Sequence, residues 1–247
     1  IVSAGSPAVV LRTTNGGQSW QEVYKDTRAE IFLDAMDFYG KTGYILGDPI
    51  EGSFQLLKTT NKGKTWTDVS KNFMLFADDG EAAFAASGSN IQVFKDFVYI
   101  GTGGLFSGFF YYSPKNLRID KYECPIWYGN ASSGIFALDF INEQTGIVVG
   151  GNYEKDKDNR NNILLTFDGG KNWEKPQTPV LGFRSDVLYL SPDIVIATGT
   201  SGTDISYDAG RNWQNLPTAS FNTVAKSKNG DHIYLTGSSG NIVKLKL

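Results

Sequence analysis

Cleaving a glycosidic bond takes two carboxyl groups a short, fixed distance apart, one giving a proton and the other acting as base or nucleophile. Asp34, Asp48 and Glu81 are the acids of this chain that can meet for such work, if the elements carrying them are neighbours. Trp127 and Tyr153 offer faces on which a sugar ring or a peptide side chain can stack. Arg184 offers the charged fork that grips a carboxylate. The bland reading of the three acids is that they are solvated, since nothing in the sequence raises a carboxyl pKa. Other chemistries fail on arithmetic. Cys124 is the only cysteine and His232 the only histidine, so no internal disulfide, thiolate metal site or two-histidine metal site can be assembled. A dinucleotide fingerprint needs G-x-G-x-x-G between a strand and a helix. The glycine-rich GTGGLFSG (101–108) has strand-like apolar runs on both sides and reads as a tight turn. The run EKDKDNRNN (154–162) lacks the spacing and closing Glu of a calcium loop. Neither a metal nor a cofactor is expected.

What must position these residues is a unit that occurs four times. TTNGGQSW (13–20), TTNKGKTW (59–66), TFDGGKNW (166–173) and SYDAGRNW (206–213) all fit Ser/Thr-x-Asp/Asn-x-Gly-x-x-Trp. In each, Asn15, Asn61, Asp168 or Asp208 can fold its side chain onto nearby backbone N–H groups, after Thr13, Thr59, Thr166 or Ser206. Gly17, Gly63, Gly170 and Gly210 supply the positive φ of a hairpin, and Trp20, Trp66, Trp173 and Trp213 open the returning strand, where an indole can cover apolar neighbours. With 28 glycines and 13% aromatic residues among 247, short strands and turns are favoured over long helices. Strands are expected in packets, the clearest at 31–38, 43–47, 54–59 and 65–69. Trp20 and Trp66 are 46 residues apart and Trp173 and Trp213 are 40 apart, but Trp66 and Trp173 are 107 apart, room for one more unit. The runs 82–86, 91–94, 98–101, 108–113 and 118–122 fill that gap, with SPKNLRID (113–120) as a box that has lost its Asp, Gly and Trp. A four-stranded meander repeated radially is a propeller blade.

The repeated pattern is identified as the Asp-box, or BNR repeat, and the chain resembles the photosystem II assembly/stability factor family and its bacterial relatives. The resemblance extends through IFLDAMDF (31–38), GDPIEGSF (47–54), GEAAFAAS (80–87), TGG (102–104), SSGIFALDF (132–140), VVGGNY (148–153), FRSDV (183–187) and the terminal GNIVKLKL. It implies an all-β propeller. Six packets, the first and last short, suggest one domain over 1–247 with about six blades, where the family has seven, and hence an N-terminal truncation. Relatives carry labels such as oxidoreductase or glycosyl hydrolase, which have to be earned by residues. Sialidases hold a substrate carboxylate with three arginines; of the six here at most two, Arg184 and Arg28, fall where a channel would be.

In such a propeller the box hairpins lie at one end, and the loops between blades and between second and third strands gather at the other. That places Asp34, Asp48, Glu51, Glu81, Trp127, Tyr153 and Arg184 at the channel mouth. With no complete catalytic set, the expected function is a non-enzymatic scaffold for a protein or peptide partner, in assembly or stabilisation of an envelope complex. A carbohydrate-active enzyme or lectin is the alternative. The photosynthetic members are associated with an arginine-rich binding face, which this chain lacks. A net charge of −3 gives no electrostatic reason for nucleic acid, and the longest apolar runs are strand-sized, too short for a membrane span. Low cysteine and the family's habits point to a periplasmic or secreted protein.

Overall fold

The computed structural model describes residues 1–72, 75–217, 220–227 and 232–245. They form antiparallel sheets that follow one another along the chain. The first pairs β1 (Ala8–Arg12) with β2 (Gln21–Asp26), and Val2 bridges Val10 at its side. The second is a meander of β3 (Leu33–Tyr39), β4 (Thr42–Ile50), β5 (Ser53–Thr59) and β6 (Thr67–Asp68). The short β7 (Glu81–Ala82) then precedes the third sheet, made of β8 (Ile91–Val93), β9 (Val98–Gly101), β11 (Gly108–Ser113) and β12 (Arg118–Glu123); β10 (Gly103–Gly104) follows β9 in the chain but lies outside this sheet. In the fourth, β13 (Ser133–Phe140), β14 (Gly146–Asn152) and β15 (Ile163–Thr166) form a meander that β10 and β7 extend. The fifth has β16 (Asp186–Tyr189), β17 (Val195–Gly199), β18 (Gly202–Ser206) and β19 (Gln214–Leu216), and the sixth β20 (Thr223–Lys226), β21 (Ile233–Thr236) and β22 (Ile242–Leu245). Only three short 3-10 turns, and no α-helix, occur among the described residues.

Middle strands such as β14 are buried along their whole length because both faces meet another sheet, so they read as apolar runs without alternation. Five cores lie between successive sheets, in a single series. Val10 meets Leu33 and Ile45; Leu46 and Phe54 meet Ile100 and Phe110; Phe109 meets Leu138 and Val148; Val149 meets Val187 and Ala197; Ile196 meets Val224 and Leu235. The innermost strands are also tied sheet to sheet by side chains. The Asp37 carboxylate accepts from the Val93 N–H at 2.6 Å, Gln92 Oε1 from Phe140 N–H at 2.8 Å, and Asp139 Oδ2 from Tyr189 N–H at 2.6 Å. Asp186 Oδ2 accepts from Val224 N–H at 2.9 Å and from the Thr223 hydroxyl at 2.5 Å. Each backbone N–H among these donors is satisfied by a side chain of the preceding sheet rather than by a ladder.

The four boxes share one hydrogen-bond pattern. The Ser or Thr hydroxyl accepts from the glycine N–H four residues on, at 3.0 Å in Thr13 and Thr59 and 2.9 Å in Thr166 and Ser206. It also donates to the Asn or Asp side chain, which in turn accepts from the backbone before the Trp. Gly170 has a positive φ, and a Cβ there would also lie 2.1 Å from the Phe109 ring of the preceding sheet. The indole N–H groups divide: Trp20 and Trp213 donate to the glycine carbonyls of their own boxes, while those of Trp66 and Trp173 are buried without a partner among the described residues.

Three local expectations change. Residues 82–86 do not form a blade strand: the Ala83 N–H is taken by the Asp48 carboxylate at 2.9 Å, which leaves it unavailable to a ladder, and β8 is the third sheet's first strand. GTGG is not simply a turn, because Gly103 and Gly104 pair with β13 and β7. A Cβ on Gly103 would lie 2.5 Å from the Gly134 Cα, so the two strands approach only as glycines. The outer strand of the fourth sheet shrinks to one bridge, Leu165 to Glu174. Residues 246–247, expected in the last strand, and 73–74, expected in a loop, lie outside the described residues.

Candidate functional site

Strand direction sets the two ends. Because β3 runs away from the connection that precedes it and each partner is antiparallel, the boxes and the first turns share one end. The connections between sheets, with the turns between second and third strands, share the other. At this loop end the segments are bonded to one another. Leu105 N–H donates to Gly80, Gly129 to Gly104, Trp127 to Asn161, Tyr153 to Ser132 and Phe183 to Asp156, so the loops of sheets two to five form a continuous surface.

The expected mouth residues fare differently. Asp34 and Asp48 are brought together, each by a β-bulge: register shifts between Leu33 and Ala35 and between Gly47 and Pro49 leave these two side chains out of the ladder. Asp34 is 5% exposed, with both carboxyl oxygens shut off from solvent and without a partner among the described residues. Burial, and next the Asp48 charge, push its pKa up to about 8. Burial also raises Asp48, against the bond it accepts from Ala83. Glu81 does not join them. Its buried carboxylate takes the Lys121 ammonium at 2.6 Å, the Asp78 N–H at 2.8 Å and the Thr102 hydroxyl. Arg184 is not at an open mouth either: fully buried, it forks onto Asp204 and donates to the Phe183 carbonyl at 2.7 Å and Ser201 Oγ at 2.6 Å. Glu51 is exposed in the β4–β5 turn, where its φ is +53°.

The aromatic candidates do reach the surface. Trp127 is half-buried beneath the Arg160 guanidinium, 5.3 Å from the ring centre. Tyr153, 49% exposed, meets the edge of Phe136, which stacks on Phe84 at 3.9 Å and crosses Phe183 at 4.7 Å. Phe136 occupies the bulge of β13, the place Asp34 has in β3. Sequence reasoning passed over this aromatic cluster and over Lys121, Phe106 and Tyr128. It also passed over Asp139 and Asp186, buried acids whose pKa values burial lifts to about 6. The only signal was an acid inside an apolar run for Asp139, in FALDF, and an acid at the head of one for Asp186, before VLYL.

With the geometry in hand, the chain can be set beside known proteins. Residues 2–86 match the family model described as photosynthesis system II assembly factor YCF48. No curated protein matches the chain significantly. Among solved structures, the GH74 enzyme of Niastella koreensis superposes with a TM-score of 0.62 and 16% identity, over 83% of this chain and 34% of that one. The chain thus spans about a third of that enzyme's length. U3-55K superposes with a TM-score of 0.56 and 13% identity, over 99% of this chain and 73% of that one. YCF48 bound to D1 peptide gives 0.45 and 17% identity, over 98% and 88%. At these identities the likeness speaks to fold alone, and only the first two scores are high enough to carry it. The all-β, propeller-like architecture is borne out, and so, over residues 2–86, is the resemblance to the Asp-box assembly-factor family.

Proposed function

Taking as premise an Asp-box propeller similar to the assembly-factor family, we propose that this chain is a non-enzymatic scaffold. It forms one propeller domain of about six blades and binds a protein or peptide partner through its loop end, in assembly or stabilisation of a complex in the periplasm or outside the cell. One observation carries the reading: the polar side chains that could have done chemistry there hold the scaffold together instead. Glu81 is spent on Lys121, Arg184 on Asp204 and Asp48 on the Ala83 N–H, while Asp34 is sealed from any substrate. What the interlocked loops offer to solvent is broad and partly apolar, with Phe76, Leu105, Phe106, Tyr128, Tyr153 and Leu181 exposed. Such a surface suits recognition by area and aromatic anchors rather than by a reactive centre. The family model's description, an assembly factor, agrees with it.

Two assays on the same preparation test the proposal. Affinity capture from the native envelope fraction is expected to enrich a partner, with enrichment lost in Tyr153→Ser. A panel of chromogenic glycosides is expected to stay intact. Hydrolysis abolished by Asp48→Asn, or repeated capture without a specific partner, overturns it.

A further inference from the structure

Where β12 reaches the loop end, Asp78, Phe106, Ser107, Lys121, Tyr122, Glu123 and Tyr128 enclose an open groove of about 350 Å³. Phe106, 47% exposed, and Tyr128, 37% exposed, supply aromatic surface to it. Lys121, the one cation among the described residues that line it, does not project into the opening. Glu81 holds its ammonium at 2.6 Å, Asp78 at 2.7 Å, and the Phe110 ring lies beneath it at 5.0 Å. Two carboxylates that line the groove, Asp78 and Glu123, and the buried Glu81 behind Lys121 stand against one ammonium, which leaves the lining one negative charge in excess and the surroundings two. Glu123 is exposed and accepts from the Tyr128 hydroxyl at Oε1, 3.2 Å, so the acid and one aromatic ring are held side by side. Exposed aromatic faces beside uncompensated carboxylate make a receptor for a flat cation, because the ring face and the anion attract the same charge. The volume is near the lower end of small-ligand clefts, right for one long side chain rather than a folded element.

We propose that this groove takes an arginine side chain of the peptide partner, its guanidinium between the aromatic surface and the Glu123 and Asp78 carboxylates. Arginine suits the site better than lysine because its planar, weakly hydrated head stacks on rings and forks onto a carboxylate. The inference rests on the peptide-binding reading and narrows it to the chemistry of one contact.

The test is an NMR titration of the ¹⁵N-labelled full chain with the peptide Ac-Gly-Gly-Arg-Gly-Gly-NH₂ and with its citrulline counterpart, which keeps the shape and removes the charge. The arginine peptide is expected to shift the amides of Ser107, Lys121, Glu123 and Tyr128 saturably, and the citrulline peptide to bind about tenfold more weakly. Glu123→Gln and Tyr128→Ala, both at exposed positions, are each expected to weaken the arginine peptide about fivefold while leaving distant amides unmoved. Equal affinity for the two peptides, shifts centred elsewhere, or no saturable binding overturns the proposal. If envelope capture still enriches a partner to the wild-type level in Glu123→Gln, the groove assignment falls while the binding scaffold stands. If the wild type captures nothing yet binds the arginine peptide, the reverse holds.

Discussion

Replacing Asp34 with asparagine should make the protein's stability less dependent on pH, by an amount the structure allows to be worked out. The Asp34 carboxyl titrates near 3.8 when unfolded and near 8 when folded, because burial and the Asp48 charge disfavour its anion. Between those values the folded chain holds a proton that the unfolded chain has released. Its contribution to stability is therefore fully present below pH 3.8 and is lost as pH rises through 8. At about 1.4 kcal/mol per unit, the loss between about pH 5 and pH 9 is about 4 kcal/mol. Asp48, Asp139 and Asp186 are raised too and carry the same sign, so the comparison must be with the variant rather than with a flat line. Urea unfolding of wild type and Asp34→Asn at pH 5, 7 and 9 isolates the one group. The variant should gain on the wild type by about 4 kcal/mol across that range, whatever constant offset the amide introduces. Parallel stability curves would refute the reasoning and with it the sealing of the Asp34 carboxyl beside Asp48.

Other changes follow from the same contacts. Arg184→Ala strands the Asp204 carboxylate in the interior and should cost about 3 to 5 kcal/mol in urea unfolding, where a solvent-facing arginine would cost almost nothing. Asp139→Ala removes the acceptor for the Tyr189 N–H and should cost about 2 kcal/mol, with Asp139→Asn recovering most of it by the same measurement. Gly170→Ala forces a Cβ at positive φ against Phe109 and should lower the melting temperature far more than Gly16→Ala, whose Cβ would meet open space.

The boxes were legible because each atom of the hairpin is specified within eight consecutive residues: hydroxyl, carboxylate or amide, glycine and indole are all local. The packets of strands were legible for the same reason, as runs bounded by turns. What stayed hidden depends on partners far along the chain. Lys121 lies 40 residues from Glu81 and Asp204 lies 20 from Arg184, so an acid and an arginine that looked available were already taken. Bulges were hidden as well. One extra residue in β3, β4 and β13 re-aims Asp34, Asp48 and Phe136, and nothing in the local run of apolar residues distinguishes a bulged strand from a regular one. The strand expected at 82–86 failed because its donor was claimed by a carboxylate from another sheet.

Both ends of the molecule expose large apolar side chains, so exposure alone does not say which end meets a partner. Photo-crosslinking in the native envelope fraction does, with benzoylphenylalanine placed at Phe106, Tyr153 or Leu181 on the loop end and at Phe167 or Tyr207 on the box end. The binding scaffold described here predicts a discrete protein adduct from the loop-end positions and none from the box end. Adducts of equal yield from both ends, or from the box end alone, would contradict it.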